Sequence, residues 1–258
     1  MGHKYLISLI SILIINTATI QAKEYYGHKK KIIIENFYVN QEKAYPQSGK
    51  VFTSKLKSAL FNTNRFVVKE IETKGIVQLV IRGKILKCKE ETVIKWYDRP
   101  LPARFRGTKV TNADIIVEVN LCNPNTGVII KSFRVKGNAK LEGEKLAGLG
   151  NNELNSDWKT SALALSINKV TKRIIDIIIG EMDKYEWEAK ITRVDGDKVY
   201  IDCGLECNIK AGTIVVVHKN PGTIIGKTKI IEVNEDFAMA VITENHGIES
   251  DMIVRMAE

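Results

Sequence analysis

Proline and cysteine are sparse in this sequence, with 5 Pro and 4 Cys among 258 residues, and Gly stands at 18. That little Pro and Gly excludes a collagen-like or low-complexity chain, and four Cys over this length do not make a disulfide scaffold. Histidine is equally scarce at 4, and His218 and His246 are not spaced as a pair of metal ligands. No Gly-x-Ser-x-Gly run occurs, which removes the nucleophile elbow of strand–helix hydrolases. No apolar run reaches the roughly 20 residues that a membrane-crossing helix needs. Aromatics make up only 7%. The basic clusters Lys29-Lys30-Lys31 and Arg99 to Arg106 therefore lack the interleaved rings on which bases stack.

What is present is a core-building composition, 44% hydrophobic and 27% charged, with a net charge of +9. The length suits one large domain or two small ones. Residues 1–22 read as a secretory signal. Lys4 supplies the basic start, Tyr5 to Ile15 is almost wholly apolar, and polar and small residues close the segment at Ala22, the expected cleavage site. An uncleaved anchor is the competing reading. The first cysteine is Cys88, so no thiol stands where a lipoprotein would carry its acyl chains. Export, with a basic but aromatic-poor surface, excludes nucleic acid as a partner and leaves at most peripheral contact with membrane.

Lys31 to Tyr38, Arg65 to Glu70 and Gly75 to Leu86 read as strands, with a helix over Gly49 to Phe61 capped by Ser48. Ala113 to Leu121 and Gly127 to Gly137 form a hairpin about Asn123-Pro124-Asn125-Thr126. Leu163, Ile167, Val170, Ile174, Ile178 and Met182 step by three or four along a helix from Ser161 to Met182. The stretches between, Lys87 to Asn112 with Pro100 and Pro102, and Asn138 to Trp158, read as loops. After Tyr185 the texture becomes five or six short strands in about 70 residues, which predicts a small closed barrel. The boundary falls near Asp183-Lys184, giving units 23–183 and 184–258.

Candidate chemistry is thin. Gly222 to Thr228 resembles a phosphate loop but has three rather than four residues between its glycines and no following helix. Cys203 and Cys207 read as lying in one turn and can bridge locally or remain two free thiols. No catalytic residue, cofactor site or metal site is assigned, and the chain is expected not to be an enzyme.

Several segments in order resemble one family. They are Lys31 to Tyr38, the Leu56–Leu60 helix, Arg65 to Glu70, Ala113 to Val119, Asn125-Thr126-Gly127-Val128-Ile129, and the long helix after them. Together they are similar to the curli production assembly/transport component (CsgG-like) domain, and to the related TolB N-terminal and penicillin-binding-protein-activator domains. Val194 to Gly204, Ile209 to Thr213 and Ile225-Gly226-Lys227 resemble the C-terminal domain of the flagellar assembly protein FlgT, a small SH3-like barrel. The resemblance implies an α/β sandwich followed by an SH3-like barrel, in a non-catalytic periplasmic protein. Such a protein would help assemble or transport a curli-like or flagellar surface structure through contacts with envelope proteins or with its own copies in a ring. A periplasmic activator of a cell-wall synthase is the second reading. A curli-type outer-membrane channel is the third, set back because neither long insertion alternates as a spanning hairpin must.

Overall fold

The computed structural model describes residues 25, 27–39, 48–71, 75–96, 107–142, 161–219 and 222–257. The expected leader with its cleavage site at Ala22, and Pro100 and Pro102, lie outside those residues.

The N-terminal unit is one mixed sheet with helices on one face. Its elements are β1 (Lys30–Ile34), β2 (Tyr38–Val39), α1 (Ser48–Phe61), β3 (Phe66–Lys69), β4 (Leu79–Trp96), β5 (Gly107–Cys122), β6 (Ile129–Glu142) and α2 (Ala162–Met182). The strand order is β3-β1-β4-β5-β6, with β2 beside β4. β1 is parallel to both β3 and β4, whereas β4, β5 and β6 form an antiparallel meander. Alternation along the strands sends Ile32, Ile34, Ile81, Ile115 and Val117 to one face. There they meet Phe52, Leu56 and Leu60 of α1 and Leu163, Val170, Ile174 and Ile178 of α2. Ser161 caps α2 by accepting the Ala164 N–H at 3.0 Å. At Gly137 the helix rests on bare strand backbone, since a Cβ there would lie 2.6 Å from the Ser166 carbonyl oxygen.

The C-terminal unit is a closed antiparallel barrel of β7 (Glu188–Asp195), β8 (Lys198–Ile201), β9 (Ile214–His218), β10 (Ile224–Val233), β11 (Ala238–Asn245) and β12 (Ile253–Met256), in the order β10-β11-β8-β7-β12-β9. Ile191, Val199, Ile201, Val215, Val217, Ala240 and Val254 fill it. Closure leaves no free sheet edge among the described residues of this unit. The expected class, an α/β sheet-and-helix unit followed by a small barrel, is the observed one. No helix among the described residues is long and apolar enough to cross a membrane.

The loop assigned to Lys87 to Asn112 is a correction. β4 and β5 continue into it from either side, paired residue by residue from Glu90↔Ala113 to Trp96↔Gly107, and residues 97–106 lie outside the described ones. The apolar pattern fades along this arm because it runs on past the main core, which ends at Cys88 and Ala113, although Val110 and Thr111 are still buried. Its cross-strand contacts include the hydroxyls of Thr92 and Thr111 at 2.9 Å. Likewise residues 138–142 belong to β6 rather than to a loop, and the remainder of that insertion lies outside the described residues. The first strand is also shorter than read, being interrupted between Ile34 and Tyr38.

Substituting Ile174→Ala, a fully buried residue of α2, should lower folding stability by about 2–5 kcal/mol, seen as a reduced midpoint in urea with an unchanged slope.

Candidate functional site

Two neighbouring lysines at the start of β1 tie the molecule together. Successive strand residues point to opposite faces, so Lys30 and Lys31 part company. Lys30 goes to the helix face and donates to the carbonyls of Met182, at 2.5 Å, and Tyr185. It thereby satisfies oxygens at the C-terminal end of α2, where a cation is favoured. Burial presses its pKa down, with Asp183 opposing.

Lys31 goes the other way, into the seam between sheet and barrel, with 6% of its surface exposed. Its ammonium donates to the Asp202 carbonyl and lies 3.5 Å from the Asp202 carboxylate and 3.8 Å from that of Glu206. Lys69 of β3, on the same face, meets Glu206 at 2.6 Å. The Asp202 carboxylate also accepts the N–H groups of Lys190 at 2.6 Å and Ile76 at 2.7 Å. The buried Lys31 and the half-buried Lys69 thus face two carboxylates, of which that of Asp202 also holds two backbone donors, the condition under which buried charge is tolerated. Around this group, the Lys29 N–H donates to the Cys207 carbonyl, Asn208 to the Gly27 carbonyl and Gln78 to the Glu186 carbonyl. Val67 packs onto the barrel core.

The barrel occupies a particular gap. β3 returns to the parallel strand β4 across β1, a connection that ordinarily carries a helix. Here residues 70–78 contain no helix among the described ones. Val77 lies against Ile33, Val80 and Cys122 on the face opposite α1 and α2, and the barrel loop at Asp202 covers the neighbouring backbone.

The other exposed feature is the sheet edge at β6. Edge strands carry unpaired backbone groups and are usually guarded. α2 runs antiparallel beside this edge. Lys169 donates to the Asn138 carbonyl at 2.9 Å and Arg173 to the Lys136 carbonyl at 2.8 Å. Lys131 reaches Glu181 at 2.9 Å, whose pKa is lowered by hydrogen bonds from Lys184 and Lys131. An open cleft of about 390 Å³ between strand and helix is lined by Arg134, Val135, Lys136, Arg173, Asp176 and Ile177. Arg134 pairs with Glu118 at 2.7 Å. Among the described residues no carboxylate lies within ion-pair distance of Lys136, Lys169, Lys172 or Arg173.

Cys203 and Cys207 are bonded to each other in the structure, closing the segment that presents Asp202 and Glu206 to Lys31. Cys88 and Cys122 are free and buried, and burial, helped by nearby Glu90, pushes the Cys88 thiol up to about 11, an unreactive state. The glycine pair of the supposed phosphate loop has a packing role at Gly226. A Cβ there would lie 2.3 Å from the Glu244 carbonyl oxygen, and Lys227 pairs with Glu244 at 2.9 Å. No three His, Cys, Asp or Glu side chains among the described residues converge as a metal site. The junction lysines were invisible as a site in the sequence, where Lys29-Lys30-Lys31 reads as a solvated run. An alternating strand with lysines next to Ile32 is the one signal that could have marked them.

No protein-family model and no curated protein matches this chain. Solved structures similar to it include a hypothetical protein from Chlamydia trachomatis, at 10% identity over 61% of this chain and 99% of that one, with a TM-score of 0.43. A PelC dodecamer from Paraburkholderia phytofirmans is 16% identical over 57% of this chain and 88% of its own, TM-score 0.31. A lipoprotein from Neisseria meningitidis is 8% identical over 60% and 99%, TM-score 0.30.

Replacing Lys31→Met strands the facing carboxylates and should cost about 3–5 kcal/mol, read from urea unfolding of the full chain. His28 and His218 both sit below the ordinary histidine range, chiefly through burial. The folded state therefore binds fewer protons than the unfolded one, and the stability they contribute is present above about pH 6.5 and lost as pH falls through their lowered values. Unfolding midpoints measured between pH 7.5 and 5 should fall, and less steeply in a His28→Gln, His218→Gln variant.

Proposed function

We propose that this chain is a non-catalytic protein of the cell envelope, acting in the assembly or transport of a surface structure by touching other proteins. The observation that carries the reading is the charged clasp of Lys31, Lys69, Asp202 and Glu206. It fixes a closed barrel against the open face of a sheet, so two different contact surfaces are held in one geometry. A scaffold needs that fixed relation, and each buried ion of the clasp is costly unless the pairing is kept. The apparent secretory leader and the resemblance of the two units to the CsgG-like and FlgT C-terminal domains support a periplasmic setting and the choice between curli-like and flagellar structures. Exposed Leu205 and Phe237 on the barrel, with Arg193 stacked 3.9 Å from the Tyr200 ring, supply the apolar anchors such contacts use.

A curli-type channel is a second reading, favoured by the long β4–β5 hairpin, whose strands exceed the length that crosses a bilayer. Lys87, Lys89, Glu90, Glu91 and Asp114 along it weigh against lipid on either face.

Crosslinking in intact cells should capture one or a few specific envelope partners, and a pattern no different from a scrambled background would refute the contact-making role. Sedimentation of residues 23–258 with and without detergent separates the two readings: the scaffold keeps one species in both, and the channel forms a large ring only with detergent.

A further inference from the structure

We propose that the open part of the β6 edge, at Ser132–Arg134, is a docking slot for an extended acidic segment of a partner protein, added as a short extra strand. The inference deepens the contact-making role and rests on it for its biological meaning. Its chemistry is tested separately.

The guarding of this edge stops part-way. Lys136 and Asn138, two apart, turn their carbonyls outward to Arg173 and Lys169. The same alternation turns the backbone N–H and C=O groups of Ser132 and Arg134 outward. No described residue bonds them. Because α2 runs antiparallel to β6, the positions one and two turns beyond Lys169 and Arg173 stand opposite these groups. There the helix offers Ile177, which has no donor, and Gly180, which has no side chain. A Cβ at Gly180 would meet nothing within 4 Å, so no described residue fills the space beside the edge there. A glycine inside a helix costs about 1 kcal/mol relative to alanine, and no close packing at this position requires it.

The chemistry of the slot selects its occupant. Lys136, Lys169, Lys172 and Arg173 are cations without a carboxylate within ion-pair distance among the described residues, gathered at one end, and they outnumber Asp176, the one carboxylate that lines the cleft. At the other end Val128, Ile129 and Ile130 stand 63%, 53% and 38% exposed. Strand addition supplies main-chain hydrogen bonds, and alternate side chains then choose the ligand. An extended segment with apolar residues over Gly180 and Ile177 and carboxylates toward Lys136 and Arg173 satisfies both ends. A second copy pairing β6 to β6 would bring a strand that carries Lys131, Arg134, Lys136 and Lys140 and the single carboxylate of Glu142 beside an already cationic helix, so a separate acidic segment is the better match.

The probe is a fluorescein-labelled, acetylated hexapeptide alternating Glu and Val, followed by anisotropy on the full chain, with the Lys–Val counterpart as control. The Glu–Val peptide should bind at least tenfold tighter. Gly180→Leu fills the slot and should weaken that binding tenfold or more while leaving the melting temperature unchanged or raised. Ser132→Pro, which removes an outward N–H that the sheet does not use, should weaken it similarly. Equal affinity for both peptides would overturn the proposal. So would loss of binding in Lys136→Glu together with full binding in Gly180→Leu and Ser132→Pro, a pattern that denotes a diffuse cationic surface, as would tighter association with phosphatidylglycerol vesicles that Gly180→Leu leaves intact. Self-association abolished by Gly180→Leu would make the occupant another copy and equally refute it. Failure of cell crosslinking with intact peptide binding would instead strike the proposed function and leave the slot standing.

Discussion

The ammonium group of Lys31, enclosed between sheet and barrel, is the constraint on which the arrangement turns. A lysine taken out of water is tolerable only where acceptors wait for it. Here they all come from the turn that follows β8: the Asp202 carbonyl, its carboxylate and that of Glu206. The barrel is therefore needed to satisfy the sheet, as well as being appended to it. Lys69 and the Ile76 N–H add to the same acceptors, so β1, β3 and the approach to β4 are all held by one short stretch of chain.

The neighbouring Lys30 shows why a strand suits this task. A one-residue step reverses the face, and two identical side chains secure different partners, α2 on one side and the barrel on the other. Slipping the register of β1 by one residue would exchange them and would carry Ile32 and Ile34 out of the core at the same time. The paired lysines and the paired isoleucines thus enforce the same alignment.

Much of this was legible beforehand. The stepping of Leu163, Val170, Ile174 and Ile178 marked α2, Asn123 to Gly127 marked the β5–β6 turn, and closely spaced short strands marked a barrel. What failed was the arm beyond the core. Along Glu90 to Val93 no described side chain is buried, although Val110 and Thr111 opposite them are, so alternation, which reports burial rather than hydrogen bonding, falls silent there. The seam failed for a related reason. Lys31, Asp202 and Glu206 are ordinary charged residues until the fold brings positions far apart in sequence into contact. Residue type told of solvation, and only the meeting of surfaces told otherwise. The β6 edge was hidden in the same way, since Lys169, Arg173 and Gly180 acquire meaning from the strand they lie beside.

The placement of the clasp also imposes an order on maturation. A polypeptide that emerges from its N-terminus delivers the sheet and both helices first, while Asp202 and Glu206 are still to come. Until then Lys31 must stay hydrated, and the face it occupies cannot dry. Asp202 and Glu206 therefore act as a late seal: a fragment cut short before them leaves Lys31 without its acceptors and the face around it wet.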